Sequence, residues 1–75
     1  MSLFHLLGGA VRFQYRNYRG ELGARHVVVM NVLHGSTEWH PEPQWLVYAF
    51  DLDRLEERYF ALADIDVGTL ERSSL

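Results

Sequence analysis

Seventy-five residues without a cysteine allow one domain and exclude disulfide staples and thiolate metal sites, so a reducing, cytoplasmic setting is expected. A chain this short buries only about 60% of its unfolded surface, which leaves stability dependent on a few well-placed contacts or on a partner. The formal charge of −3 is unevenly laid out: residues 1–37 carry four arginines against one acid, and residues 38–75 three arginines against nine acids. Such a net charge argues against generic nucleic-acid binding, though not against a local arginine face. Lysine is absent, so every fixed cation is a planar guanidinium.

The opening MSLFHLLGG has an apolar cluster too short to span a membrane and lacks the basic start of a signal peptide. Ser2 is expected to cap a short helix holding Leu3, Phe4, Leu6 and Leu7, which Gly8-Gly9 would end. Two helical turns cannot stand alone, so this segment is read as a lid over one end of a β core, with a partner-binding arm as the other reading.

From Ala10 the period becomes two, with Val11, Phe13 and Tyr15 on one side and Arg12, Gln14 and Arg16 on the other: a half-buried strand. Residues 17–23 supply the Asn and glycines of a hairpin loop. Residues 24–33 form the second strand, whose apolar centre Val27-Val28-Val29-Met30 suggests cover on both faces. Arg25 is expected near the level of Arg16. After the proline-bearing loop HGSTEWHPEP, residues 44–52 alternate. The bulkier set Leu46, Tyr48, Phe50 and Leu52 is taken as the core face, against Trp45, Val47, Ala49 and Asp51. An acidic turn leads to a fourth strand over residues 57–62, then a helical turn over residues 63–65. A fifth edge strand over residues 67–71 and a frayed tail over residues 72–75 complete the chain. The expectation is one mostly β domain over residues 1–75, with a core over 10–66 and a lid over 1–9. Closure into a small antiparallel barrel, or continuation of the sheet in a homodimer, would cover the edges.

The order of a strand, a Gly-containing turn, Arg25-x-Val27, Trp45-Leu46-Val47-x-Ala49-Phe50-Asp51 and Arg58-x-Phe60-x-Leu62-x-x-Ile65 resembles the WYL-domain family. The resemblance spans about Val11 to Ile65. It implies an Sm-like or SH3-like β barrel of four to five strands from a bacterial regulator, here a stand-alone, diverged member. It also implies a groove that senses nucleotides or nucleic-acid strands through Arg25, Trp45 and Arg58. The chain departs from the family pattern where Leu46 replaces the central tyrosine of the namesake triplet, Val29 a proline, and Asp64 an arginine.

Four constellations carry candidate chemistry. Arg12, Arg16, Arg25 and Arg58, with Trp45 beside them, could fork onto phosphate and stack a base; the competing reading is a solvated face paired with the surplus acids. His34, Glu38, His40 and Glu42 have donor types that suit a metal, but the prolines stiffen their loop and no metal or other cofactor is expected. Serines lack an elbow motif, and Asp51 and Asp53 are expected solvated and ionised in a turn, so no enzyme activity is expected. Trp39, with His40 in the same loop, is read either as a plug over the barrel mouth or dimer contact, or as an exposed anchor. The functional expectation is a non-catalytic regulatory module for a nucleotide or single-stranded ligand. The alternative is a homo-oligomerising interaction domain, and neither involves a membrane.

Overall fold

The computed structural model describes residues 3–74; Ser2, expected to cap the first turn, and Leu75 of the tail lie outside them. Five antiparallel strands form one sheet: β1 (Ala10–Arg16), β2 (Leu22–Gly35), β3 (Gln44–Asp51), β4 (Glu56–Ala61) and β5 (Ile65–Ser73). The spatial order is β4-β3-β2-β1-β5, so four strands meander by hairpins and the fifth returns beside the first. A 3-10 turn at Leu62–Asp64 makes that return. Among the described residues β4 and β5 do not pair, so the sheet stays open where a closed barrel was expected. No helix among them is long and apolar enough to cross a membrane.

The expected two-turn N-terminal helix is a single 3-10 turn at Leu3–Leu6. Gly8, at φ 78°, turns the chain sharply, which glycine tolerates without a Cβ clash. The Gly8 amide then donates to the Val29 carbonyl at 2.8 Å, and the Val29 amide to the Gly9 carbonyl at 3.0 Å. Bridging to β2 so early leaves no length for a second helical turn. Leu6 is nonetheless buried in the core cluster.

The register of β1 on β2 pairs Phe13 with Arg25 and Arg16 with Leu22, so Arg25 lies well below the level of Arg16. In β2 the pairing shifts between Val29 and Asn31, leaving Met30 as an extra residue. That bulge reverses the alternation, which is how Val27, Val29 and Val32 all reach the core. It also leaves Met30 exposed and Val28 half-buried, so β2 is covered fully on one face only.

The core face of β3 is the opposite of the bulky one. Val47, Ala49 and Asp51 are buried, while Tyr48 and Phe50 are half-buried on the other side. The reason is volume. Phe13, Tyr15 and Phe60 meet edge-on, with ring centroids 5.0–6.4 Å apart, and fill the interior from β1 and β4. Small side chains on β3 make room for them. Leu46 is also buried, at its pairing with Ala61.

β5 continues to Ser73, so the first two residues of the expected frayed tail are strand. Ser73 pairs with Ala10, and its Oγ lies 2.7 Å from His26 Nε2 on β2. The β1–β5 register shifts between Arg12 and Gln14 because β5 bulges out at residues 67–70. There Thr69 Oγ1 accepts the Gln14 amide at 2.9 Å and replaces a ladder bond.

Candidate functional site

Inward-facing Tyr15, at the end of β1, is the residue around which the candidate site is built. Its hydroxyl oxygen accepts the Ala61 amide of β4 at 3.0 Å, which joins the two strands across the interior. Burial raises the Tyr15 phenol above its ordinary value, and the nearby Asp64 carboxylate adds to this. The Ala61 hydrogen bond and the Arg58 and Arg25 guanidiniums partly offset it. The phenol is therefore neutral and fixed at neutral pH.

Two of the sequence-selected arginines converge on this point. The Arg25 guanidinium lies over the Tyr15 ring, 5.8 Å from its centroid, and donates to the Ala24 carbonyl at 3.1 Å. Its Nε is buried and finds no hydrogen-bond partner among the described residues. Arg58 lies 5.1 Å from the Phe60 ring centroid and forms a 3.2 Å ion pair with Asp51.

Asp51 was read from the sequence as a solvated turn residue, and the structure corrects this. It is 1% exposed and accepts the Asp53 amide at 2.9 Å, the Arg54 amide at 3.0 Å and the Arg58 guanidinium at 3.2 Å. Burial alone would raise its pKa. The hydrogen bonds from Arg54, Arg58 and Asp53 outweigh that and hold the carboxyl below its ordinary value.

Beside Tyr15 opens a cleft of about 650 Å³. The β1–β2 loop contributes Asn17 and Tyr18, the β2–β3 loop Thr37, Trp39 and His40, and β4 contributes Glu56, Glu57, Arg58 and Tyr59. Arg16 and Asp64 complete the lining and also bound a smaller depression of about 190 Å³. The loop bearing Trp39 is closed by reciprocal backbone bonds between Thr37 and His40, at 2.9 and 3.1 Å. This places Trp39 at a turn tip, 84% exposed, and so not as a plug. Tyr18 is 90% exposed. Two exposed rings therefore stand at the cleft, Tyr18 with the Arg19 guanidinium 5.4 Å from its centroid and Trp39 with no such cation among the described residues.

The remaining candidates lie elsewhere. Arg12 points outward between His26 of β2 and Glu71 of β5. Trp45 sits at the far end of β3, edge-on to His34 at 5.3 Å and to Phe4 at 6.5 Å, and does not line the cleft. His34 and His40 are thus employed in different places, and no group of three metal-ligating side chains forms among the described residues. Tyr59, Glu56, Glu57 and Asp64 were missed as lining residues. The only sequence signal for them was their position flanking Arg58 or, for Asp64, in the turn just before β5.

Compared with known proteins, the chain matches no family model, and no curated protein matches it either.

Proposed function

We propose that the chain is a non-catalytic binding module whose ligand occupies the cleft beside Tyr15. One observation carries this reading: exposed Trp39 and Tyr18 flank a cleft of ligand size whose floor is braced by Tyr15 and by the Asp51–Arg58 pair. Exposed indole and phenol faces are costly to leave in water and are frequent anchors for partners. Tyr15, Asp51 and Arg58 at the floor are engaged in hydrogen bonds, which suits a rigid base for a ligand. The return of β5 to β1 through a 3-10 turn, and the Tyr15–Ala61 bond across the interior, support a small SH3-like barrel left open at one side. That arrangement is compatible with a diverged relative of WYL domains.

The test is residue-resolved NMR titration with nucleotides, single strands and short peptides of either charge. The reading expects at least one class to shift Tyr15, Arg16, Trp39 and Arg58 together, and Trp39→Ala to abolish the effect. If every binder shifts residues away from the cleft, or no class binds, the reading is overturned.

A second reading, homodimerisation, draws on a different surface. Phe4 and Trp45 meet edge-on and are both exposed, and the outer edges of β4 and β5 lack strand partners among the described residues. Sedimentation equilibrium of the wild type and Trp45→Glu tests it: a dimer abolished by the substitution supports it, and a wild-type monomer removes it.

A further inference from the structure

We infer that the cleft takes a basic peptide segment, with a guanidinium or ammonium group seated on Trp39 and held by carboxylates, rather than a phosphate-bearing ligand. This rests on the binding-module reading above and names its ligand class. The argument is electrostatic. Of the two arginines in the lining, Arg58 is neutralised by buried Asp51, leaving Arg16 as the unpaired cation. Against it stand Glu56, Glu57 and Asp64, none in an ion pair among the described residues. A phosphate entering here would meet more negative than positive charge, within a molecule already at −3.

The aromatic rings point the same way. Their faces attract cations through the ring quadrupole. Three rings in this region already carry a guanidinium of the chain itself: Tyr18 holds Arg19 at 5.4 Å, Tyr15 holds Arg25 at 5.8 Å, and Phe60 holds Arg58 at 5.1 Å. Trp39 has the best face for such a contact and carries no cation among the described residues. A basic side chain from a partner would complete this series, with the carboxylates nearby to receive its donors. Arg16 can donate to a carbonyl oxygen of the same peptide.

The experiment is fluorescence anisotropy with a labelled arginine-rich peptide, its glutamate counterpart and labelled oligothymidylate, at low and high salt. The proteins are the wild type, Trp39→Ala, and the combined variant Glu56→Gln, Glu57→Gln, Asp64→Asn, each first shown to unfold cooperatively. The inference expects the arginine peptide to bind the wild type, and the glutamate peptide and oligothymidylate not to bind. It also expects affinity to weaken with salt and to fall about tenfold or more in the combined variant. Equal binding to the combined variant overturns it. Oligothymidylate binding that depends on Trp39 also overturns it, while leaving the binding-module reading intact. If none of the probes binds, the peptide inference fails, and the broader NMR panel separately decides the module reading.

Discussion

The amide of Ala61 donates to the hydroxyl oxygen of Tyr15 at 3.0 Å, a side-chain bond that joins β4 to β1 across 46 residues of sequence. The edge-on packing of Tyr15 on Phe60, at 5.0 Å, holds the same two strands together. Replacing Tyr15 by Phe keeps the ring but leaves the Ala61 N–H buried without an acceptor. The expected loss is about 1–3 kcal/mol. Urea unfolding should show a lower midpoint at unchanged slope, because the surface exposed on unfolding is the same.

Asp51 and Arg58 give the second prediction. The carboxylate is nearly inaccessible and gathers three donors, so Asp51→Ala leaves two amides and a guanidinium unsatisfied at the base of the cleft. Arg58 is half-exposed and can recover some hydration, which places the expected cost near the lower end for a broken buried pair, about 3 kcal/mol. The pH dependence follows in sign. Asp51 titrates below its unfolded value, so its stabilisation is present above about pH 4. It is lost as pH falls through the lower folded value. Acid unfolding of the wild type should show this loss, and Asp51→Ala should be flatter over the same range.

Part of this architecture was legible in the residues, and the misses have physical causes. Strict alternation from Ala10 to Arg16 placed β1 and its inward face correctly, because nothing interrupts it. In β3 the alternation was equally clear but its sense was inverted. Side-chain bulk suggested Tyr48 and Phe50 as core, whereas three aromatic rings on β1 and β4 had taken the interior and required Val47 and Ala49 opposite them. An acid in the same inward set, Asp51, hid the pattern further, since its burial depends on Arg58 and on two turn amides brought together by tertiary structure. The Met30 bulge leaves no mark in a run of valines. At the site, Arg16, Arg58, Trp39 and His40 were found as residue types, but their meeting depends on how the loops fold over the sheet. Trp45 was grouped with the arginines by chain order and lies instead with Phe4 and His34.

Leu55 holds a positive φ of 56°, alone among the non-glycine residues described, and its side chain is exposed. Its amide closes the β3–β4 turn on the Asp51 carbonyl at 2.8 Å, which explains why the strained backbone persists. A left-handed conformation costs an L-residue roughly 1–2 kcal/mol, whereas glycine's larger unfolded-state entropy returns only part of that. Leu55→Gly is therefore expected to stabilise the domain by about 0.5–1 kcal/mol. For a domain of this size that corresponds to a rise in Tm of a few degrees, on the order of 4 °C. A fall in Tm would mean that the leucine contributes packing outweighing its strain.

Tyr48 and Glu57, on the outer face of β3 and β4, make the last test. The Tyr48 hydroxyl donates to the Glu57 carboxylate, and its ring is tilted on Tyr59 with centroids 4.7 Å apart. The hydrogen bond to Glu57 is the leading cause that pushes the Tyr48 phenol up to about 12. Neutral phenol is thus favoured by folding, so the associated stability is fully present below the ordinary value near 10. It is lost as pH rises through about 12. Glu57 also lines the cleft, which makes this pair a spectroscopic handle on the site. Ultraviolet titration of tyrosinate should resolve late-titrating tyrosines in the wild type, Tyr48 and the buried Tyr15, and Glu57→Gln should return Tyr48 alone toward the others. A bound cation that draws the Glu57 carboxylate away from Tyr48 should lower the Tyr48 value in the same direction, so a titration repeated with saturating arginine-rich peptide connects the pair to the proposed ligand. An unchanged Tyr48 titration in Glu57→Gln would assign the upward shift to the stacked Tyr59 and to burial instead.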